Sequence, residues 1–165
     1  MSKVKVADFY YGAVLSILFN SHINPALVEG DEDRQVYDFT TNNVEFRLFI
    51  KYRADKQNTK TDDYNSWVFS LTENDKKEIL SYIDHSYNLV VALVCGVEGL
   101  AESEIAVLNK DEIKQILDLQ KTSITISRKK NERAFRISIG GGRDNSMQIK
   151  ANRFDELFKR DIKAV

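Results

Sequence analysis

The sequence predicts a mixed α/β (α+β) domain: a central mixed sheet in a helix-strand-strand-strand-helix-strand core, flanked by helices, with a β-rich section at its C-terminal end. Three observations carry this expectation. Stretches with apolar residues three and four apart alternate with stretches whose apolar residues recur at every second position, the two periods of helix and strand. The run Leu89-Val-Val-Ala-Leu-Val-Cys95 has no polar interruption, as expected of a strand covered on both faces. Across 165 residues there is no internal repeat, low-complexity segment or linker. A chain of that length is expected to bury a single core, so residues 1–165 read as one domain, with a core over 7–118 and a basic section over 121–165.

The elements follow in order. Phe9, Tyr10, Ala13, Val14, Ile17 and Leu18 make one apolar face of a helix over 7–20. Pro25, the only proline, ends that pattern or starts a short turn. Residues 29–33 are an acidic loop. Residues 34–39 read as a strand, 40–43 (Thr-Thr-Asn-Asn) as its turn and 44–53 as the returning strand. On that second strand Phe46, Leu48 and Ile50 face one way, and Glu45, Arg47, Phe49 and Lys51 the other. Residues 54–65 are polar and read as a long loop. A third strand over 66–71 holds Trp67. Thr72 then caps a helix with Asp75 three positions on, and Ile79, Leu80 and Ile83 form its buried face. After the apolar strand over 89–95 come a strand over 104–108, a cap at Asn109 and a helix with Ile113, Ile116 and Leu117. Ile124 and Ile126 share one strand face, and Phe135, Ile137 and Ile139 another, around a charged turn over 128–133. A short strand over 147–150 precedes a closing helix with Phe154, Leu157 and Phe158.

Composition narrows the functional classes. No apolar run approaches the roughly 18 residues that a membrane span needs, so no membrane partner is expected. The opening Met-Ser-Lys-Val-Lys has no signal-type apolar core, and the single Cys95 precludes an internal disulfide. Both point to the cytoplasm, with Cys95 a core residue between apolar neighbours. The net charge of −1 hides an asymmetry: residues 121–165 carry 12 Lys and Arg against 5 Asp and Glu, a net of +7 that leaves −8 for the rest. Such a split marks the C-terminal section as a surface for a polyanion, or as one half of a self-attracting domain. His22 and His85 are far apart with no cysteine or second histidine nearby, which argues against zinc.

One arrangement carries more specific chemistry. Lys51 lies near the end of the second strand, Asp38 lies on the strand before it, and Phe49 stands two residues before the lysine. The helix, three strands, helix and strand over 7–95, with these residues on them, resemble the core of the PD-(D/E)XK nuclease superfamily, the restriction-endonuclease-like fold. The resemblance implies an Asp on one strand and a Glu or Asp followed two residues later by a Lys on the next. There two carboxylates hold Mg²⁺, and metal and lysine activate water against a phosphodiester. Carried onto this sequence, Asp38 stands for the first carboxylate and Lys51 for the lysine. Phe49 replaces the second carboxylate and Tyr37 the proline. A phenylalanine cannot ligate magnesium, so the second metal ligand falls to Glu45, two residues before Arg47, or to Glu29. Arg47 can stabilise charge but not act as a base.

The remaining signals are broader. Gly140-Gly-Gly-Arg-Asp144 is the only glycine cluster. It matches no nucleotide-binding fingerprint and reads as a hairpin turn, although successive N–H groups beside Arg143 suit a phosphate. With Arg128, Lys129, Lys130 and Arg133 it forms the candidate nucleic-acid edge. The leading expectation is therefore a nucleic-acid-associated, restriction-endonuclease-like domain, catalytically impaired, with DNA or RNA as partner. The rival is a non-enzymatic protein-interaction or accessory module, which a pI of about 6.2 favours, including a symmetric homodimer. The third is an Mg²⁺-dependent nuclease with a relocated carboxylate.

Overall fold

Nine strands among the described residues divide between two sheets. The structure is a computed structural model and describes residues 2–57 and 64–157. Sheet A runs β1 (Ala26–Gly30), β2 (Gln35–Thr41), β3 (Val44–Arg53), β5 (Leu89–Cys95) and β6 (Glu104–Asn109), in that spatial order. Only β3 and β5 pair in parallel; the other neighbours are antiparallel. Sheet B is antiparallel throughout, in the order β4 (Tyr64–Ser70), β7 (Ser123–Lys129), β8 (Ala134–Ile137) and β9 (Met147–Lys150). The architecture is mixed α+β, as the alternating periods predict.

Two hydrophobic clusters explain the layering. Helix α1 (Val6–Asn20) lays Tyr10, Tyr11, Val14 and Leu18 on one face of sheet A, against Leu48 and Ile50 of β3 and Val90, Ala92 and Val94 of β5. The opposite face offers Phe49, Val91, Leu93 and Cys95. These meet Trp67, Phe69, Ile124, Ile126, Phe135 and Ile137 of sheet B, together with Ile79 of α2 (Glu73–Asp84) and Ile113 of α3 (Lys110–Asp118). Every residue of β5 is buried, the outcome its apolar run predicts. Burial pushes the Cys95 thiol pKa well up, which keeps it an inert core residue. Among the described residues no helix is long and apolar enough to cross a membrane.

Four elements differ from the sequence expectation. The strand holding Trp67 starts at Tyr64 and joins sheet B instead of the core sheet, so the contiguous three-strand meander is broken after β3. Its alternation was legible, but alternation fixes which side chains are buried, not which sheet receives them. Residues 26–30 form the edge strand β1, which takes Glu29 and Gly30 out of the expected acidic loop. An edge strand exposed at nearly every position carries no period-two signal. On α1 the buried stripe is turned from the expected one: Tyr11 is buried while Phe9 is 52% exposed. Leu80 of α2 likewise faces solvent. Of the polar loop expected over 54–65, residues 58–63 lie outside the described residues, as does Phe158 of the closing helix, here seen over 153–157 (α4).

Local sequence explains the tight places. Asn42 and Asn43 have φ of +53° and +64° and close the β2–β3 hairpin in two residues, a turn that asparagine tolerates. Thr72 and Asp75 form the capping box of α2, and Asn109 and Glu112 that of α3. Gly96 ends β5 where a Cβ would lie 2.7 Å from the carbonyl oxygens of both Arg53 and Ala54, so only glycine fits. Its own carbonyl accepts the indole N–H of Trp67 at 2.8 Å, which satisfies the one polar atom of that buried ring.

Candidate functional site

The register of the β2–β3 hairpin decides where the nuclease-like residues fall. Asp38 pairs with Arg47, and Val36 with Phe49, so position 34 lies beside Lys51. Asp38 is four residues further along β2, about 13 Å from Lys51's level on the strand. The structure does not bring these two together. Asp38 instead accepts two hydrogen bonds from Arg47, from Nε and Nη2, each at 2.8 Å. The guanidinium also lies 3.7 Å from the Tyr87 ring centroid and 4.7 Å from that of Tyr82, a stacked and bidentate setting that suits arginine alone. Phe49 is fully buried between the sheets, and Glu45 is exposed opposite Thr40.

Lys51 belongs to a different constellation. Its Nζ donates to Asp75 Oδ2 at 2.7 Å. The other carboxylate oxygen, Oδ1, accepts from Arg34 Nη1 at 3.0 Å. Arg34 also donates to Glu29 at 2.9 Å and to both carboxylate oxygens of Glu78, at 2.9 and 3.0 Å. Lys51 and Arg34 are buried, and Asp75 is wholly so. Burial opposes the charged form of Asp75, yet Lys51 and the N–H and hydroxyl of Thr72 hold its pKa below the ordinary carboxylate range. Burial likewise works against the Arg34 charge, but Glu78, Glu29 and Asp75 together raise its pKa. Glu29 is raised by burial and by its neighbour Glu78. The result is a five-membered ion network that joins β1, the start of β2, β3 and α2, with a guanidinium at the centre of three carboxylates.

These contacts bear on a magnesium ion. Asp38 is held by Arg47, Glu45 points to solvent beside no second acid contact, and Glu29 is bound to Arg34. Among the described residues no group of three or more His, Cys, Asp and Glu side chains is arranged to hold a metal. The residues present therefore do not fit the ion that the nuclease resemblance implies. The sequence reading missed Asp75 as the partner of Lys51, and Arg34 and Glu78 as further members of its network. Asp75 was visible as a helix cap, but its reach to a lysine 24 residues earlier depends on how α2 docks, and no local pattern encodes that.

The basic residues divide by position on sheet B. Lys129, Lys130 and Arg133 cluster at the β7–β8 turn, all exposed, and none has an ion-pair partner among the described residues. Arg128 points to the inner side, half-buried, and donates to Glu104 of β6 at 3.1 Å. Burial raises the Glu104 pKa, and Arg128 works against that rise. Arg143 lies in a short 3-10 turn, Arg143–Asn145, in the β8–β9 connection. That connection leaves the opposite end of β8 from Arg133, so the five expected basic residues do not form one patch. The outward face of sheet B bears Tyr64, Ser66, Val68, Thr125, Ser127, Lys129, Arg136, Gln148 and Lys150, while its inward face is apolar except for Asn65 and Arg128 at the β7–β8 end. Sheet A has no comparable free face.

No family model, curated protein or solved structure matches the chain.

Proposed function

We propose that this chain is a nucleic-acid-associated domain of restriction-endonuclease-like layout that binds without cutting. It contacts phosphates through the β7–β8 end of sheet B. The observation that supports this reading is the group Lys129, Lys130 and Arg133, exposed together and without ion-pair partners among the described residues. Phosphate contacts of this kind give affinity and register without sequence readout. The lack of cutting rests on Asp38 and Lys51, which are engaged by Arg47 and Asp75. A buried, lone cysteine suits a reducing compartment, in keeping with the cytoplasm.

The test is a fluorescence-anisotropy titration with short single- and double-stranded DNA and RNA at two salt concentrations, in EDTA and then with Mn²⁺. Micromolar or tighter binding that weakens steeply with salt is the expected result, with the probe intact in both conditions. Absence of binding at low salt rejects the reading.

One observation favours a protein-interaction module instead. The outer face of α1 exposes Val6, Phe9 and Phe19 around Gly12, Ala13 and Ser16. An antiparallel pair of such helices sets phenylalanine against phenylalanine and small residue against small residue, so the partner this face fits is a second copy. Light scattering behind size-exclusion chromatography decides it: a monomer mass at high protein concentration removes this reading.

A further inference from the structure

The β8–β9 connection creates a feature that the cationic turn does not account for. Gly140, Gly141 and Gly142 follow one another at φ of +96°, +80° and +84°, a left-handed run that L side chains adopt only with strain. A Cβ on Gly140 or Gly142 would meet no atom within 4 Å. Packing therefore does not demand glycine there; the backbone path does. The loop is held in shape by Asn145, whose Nδ2 donates to Gly140 O at 3.0 Å and whose side chain packs on Gly141.

This loop closes one side of a groove of about 210 Å³ on the outward face of sheet B. The groove is lined by Gly142, by the hydroxyl residues Thr125, Ser127, Ser138 and Ser146, by the phenol of Tyr64 and by Arg136. Among the described residues no carboxylate lines it, and Glu132 accepts from Arg136 Nε at 2.9 Å. A second groove near Arg128 is larger but faces its cations with Glu104, Asp155 and Glu156, a mixed lining that disfavours an anion.

We propose that the glycine-loop groove is a binding site for a single phosphoryl group. Hydroxyl groups from two strands and one connection, beside the guanidinium of Arg136 that Glu132 also holds, match the oxygens of a tetrahedral oxyanion. Exposed left-handed glycine backbone lets such a group approach the main chain closely. Lys129 lies on the same face as Ser127 and Thr125, about 13 Å along β7 from the latter, so the groove and the cationic turn lie on one track. The proposal deepens the nucleic-acid reading and rests on it for the source of the phosphate, though not for the site itself.

The experiment is an amide NMR titration of the full chain with inorganic phosphate, paired with anisotropy of 5′-phosphorylated and 5′-hydroxyl oligonucleotides of one sequence. Saturable shifts at Ser138, Gly140, Gly141 and Gly142 are expected in the millimolar range. Gly142→Ala, which keeps the N–H but strains a backbone held at φ +84° and so shifts the loop, should weaken them by about tenfold. Thr125→Val, which leaves the loop untouched, should weaken them several-fold. No shift at these amides at tens of millimolar phosphate, or shifts confined to residues 129–133, overturns the site. Tighter binding of the 5′-phosphorylated strand assigns it to a strand end; equal binding that Gly142→Ala weakens assigns it to an internal phosphodiester. Phosphate shifts without any oligonucleotide binding leave the site standing and sink the nucleic-acid reading alone.

Discussion

The two sheets treat the same kinds of residue in opposite ways. On sheet A the charges that resemble a catalytic set are closed into the fold: Arg47 on Asp38, Lys51 on Asp75, and Arg34 on Asp75, Glu78 and Glu29. On sheet B Lys129, Lys130 and Arg133 at the β7–β8 turn stand in solvent, and the outward face carries hydroxyls, with Arg136 paired to Glu132. Burial is the difference. A charge between packed layers must be paired, and once paired it is poorly placed to polarise a substrate. A charge on an uncovered sheet face keeps its field for a partner. The charges of sheet A that resemble a catalytic set are thus engaged in ion pairs, while those of the β7–β8 turn stay exposed.

This contrast breaks first at Asp75. Replacing it with alanine leaves Lys51 and Arg34 buried with too little counter-charge, which is expected to cost about 3–5 kcal/mol. For a domain of this size that lowers Tm by about 10 °C, read by calorimetry. Oligonucleotide affinity of the folded fraction should not move. A Tm within a degree or two of the parent means that the network does not hold β3 to α2.

The opposite pattern is expected of the triple variant Lys129→Ala, Lys130→Ala, Arg133→Ala. Its Tm should hold within about 0.5 kcal/mol of stability, while the salt slope of duplex binding should fall by about 2.7, or about 0.9 per lost phosphate contact. Equal slopes before and after remove the turn from the binding surface.

Acid sharpens the comparison. Asp75 has a folded pKa below its unfolded one, so its contribution is complete above about pH 4 and is lost as pH falls further through the folded value. Glu29 and Glu104 are shifted the other way, so the folded state takes up their protons first and stability rises slightly as pH drops from neutral toward their unfolded range. Denaturation followed across pH should show a shallow maximum in mild acid and then a steep fall. A monotonic decline from neutrality contradicts these assignments.

The smallest effect expected is none. Asp38→Ala and the parent chain should leave supercoiled plasmid equally intact with Mg²⁺ or Mn²⁺. Cleavage by the parent that Asp38→Ala abolishes restores a catalytic reading of sheet A.

Much of the fold was legible because its signals are local. The capping boxes at Thr72 and Asn109, the alternation on β3 and β7 and the apolar run of β5 each depend on a few neighbouring residues, and the structure has them where the sequence puts them. The candidate site was less legible because its geometry is not local. Asp38 and Lys51 are both present, but hairpin register sets them apart, and one residue of register is invisible to composition. Asp75 reaches Lys51 only because α2 crosses back over the sheet. The basic tail was rightly marked as charged, yet counting charges could not tell that Arg128 turns inward to Glu104 while Lys129 turns out.

The passage of β4 into the second sheet also sets a clock. Its partner β7 follows it by 53 residues at the Ser70–Ser123 pair and by 65 at Tyr64–Lys129. At ribosomal speeds of about 5–20 residues per second, β4 waits roughly 3–13 s for a strand to join. Every strand of sheet A is already synthesised when Asn109 emerges, so one half of the molecule can assemble while Trp67 and Phe69 still lack their cover. Late, long-range pairing of this sort is slow and leaves apolar surface open on the nascent chain. The indole of Trp67, which ends fully buried with its N–H on Gly96, is therefore a built-in optical reporter of its own enclosure between the sheets.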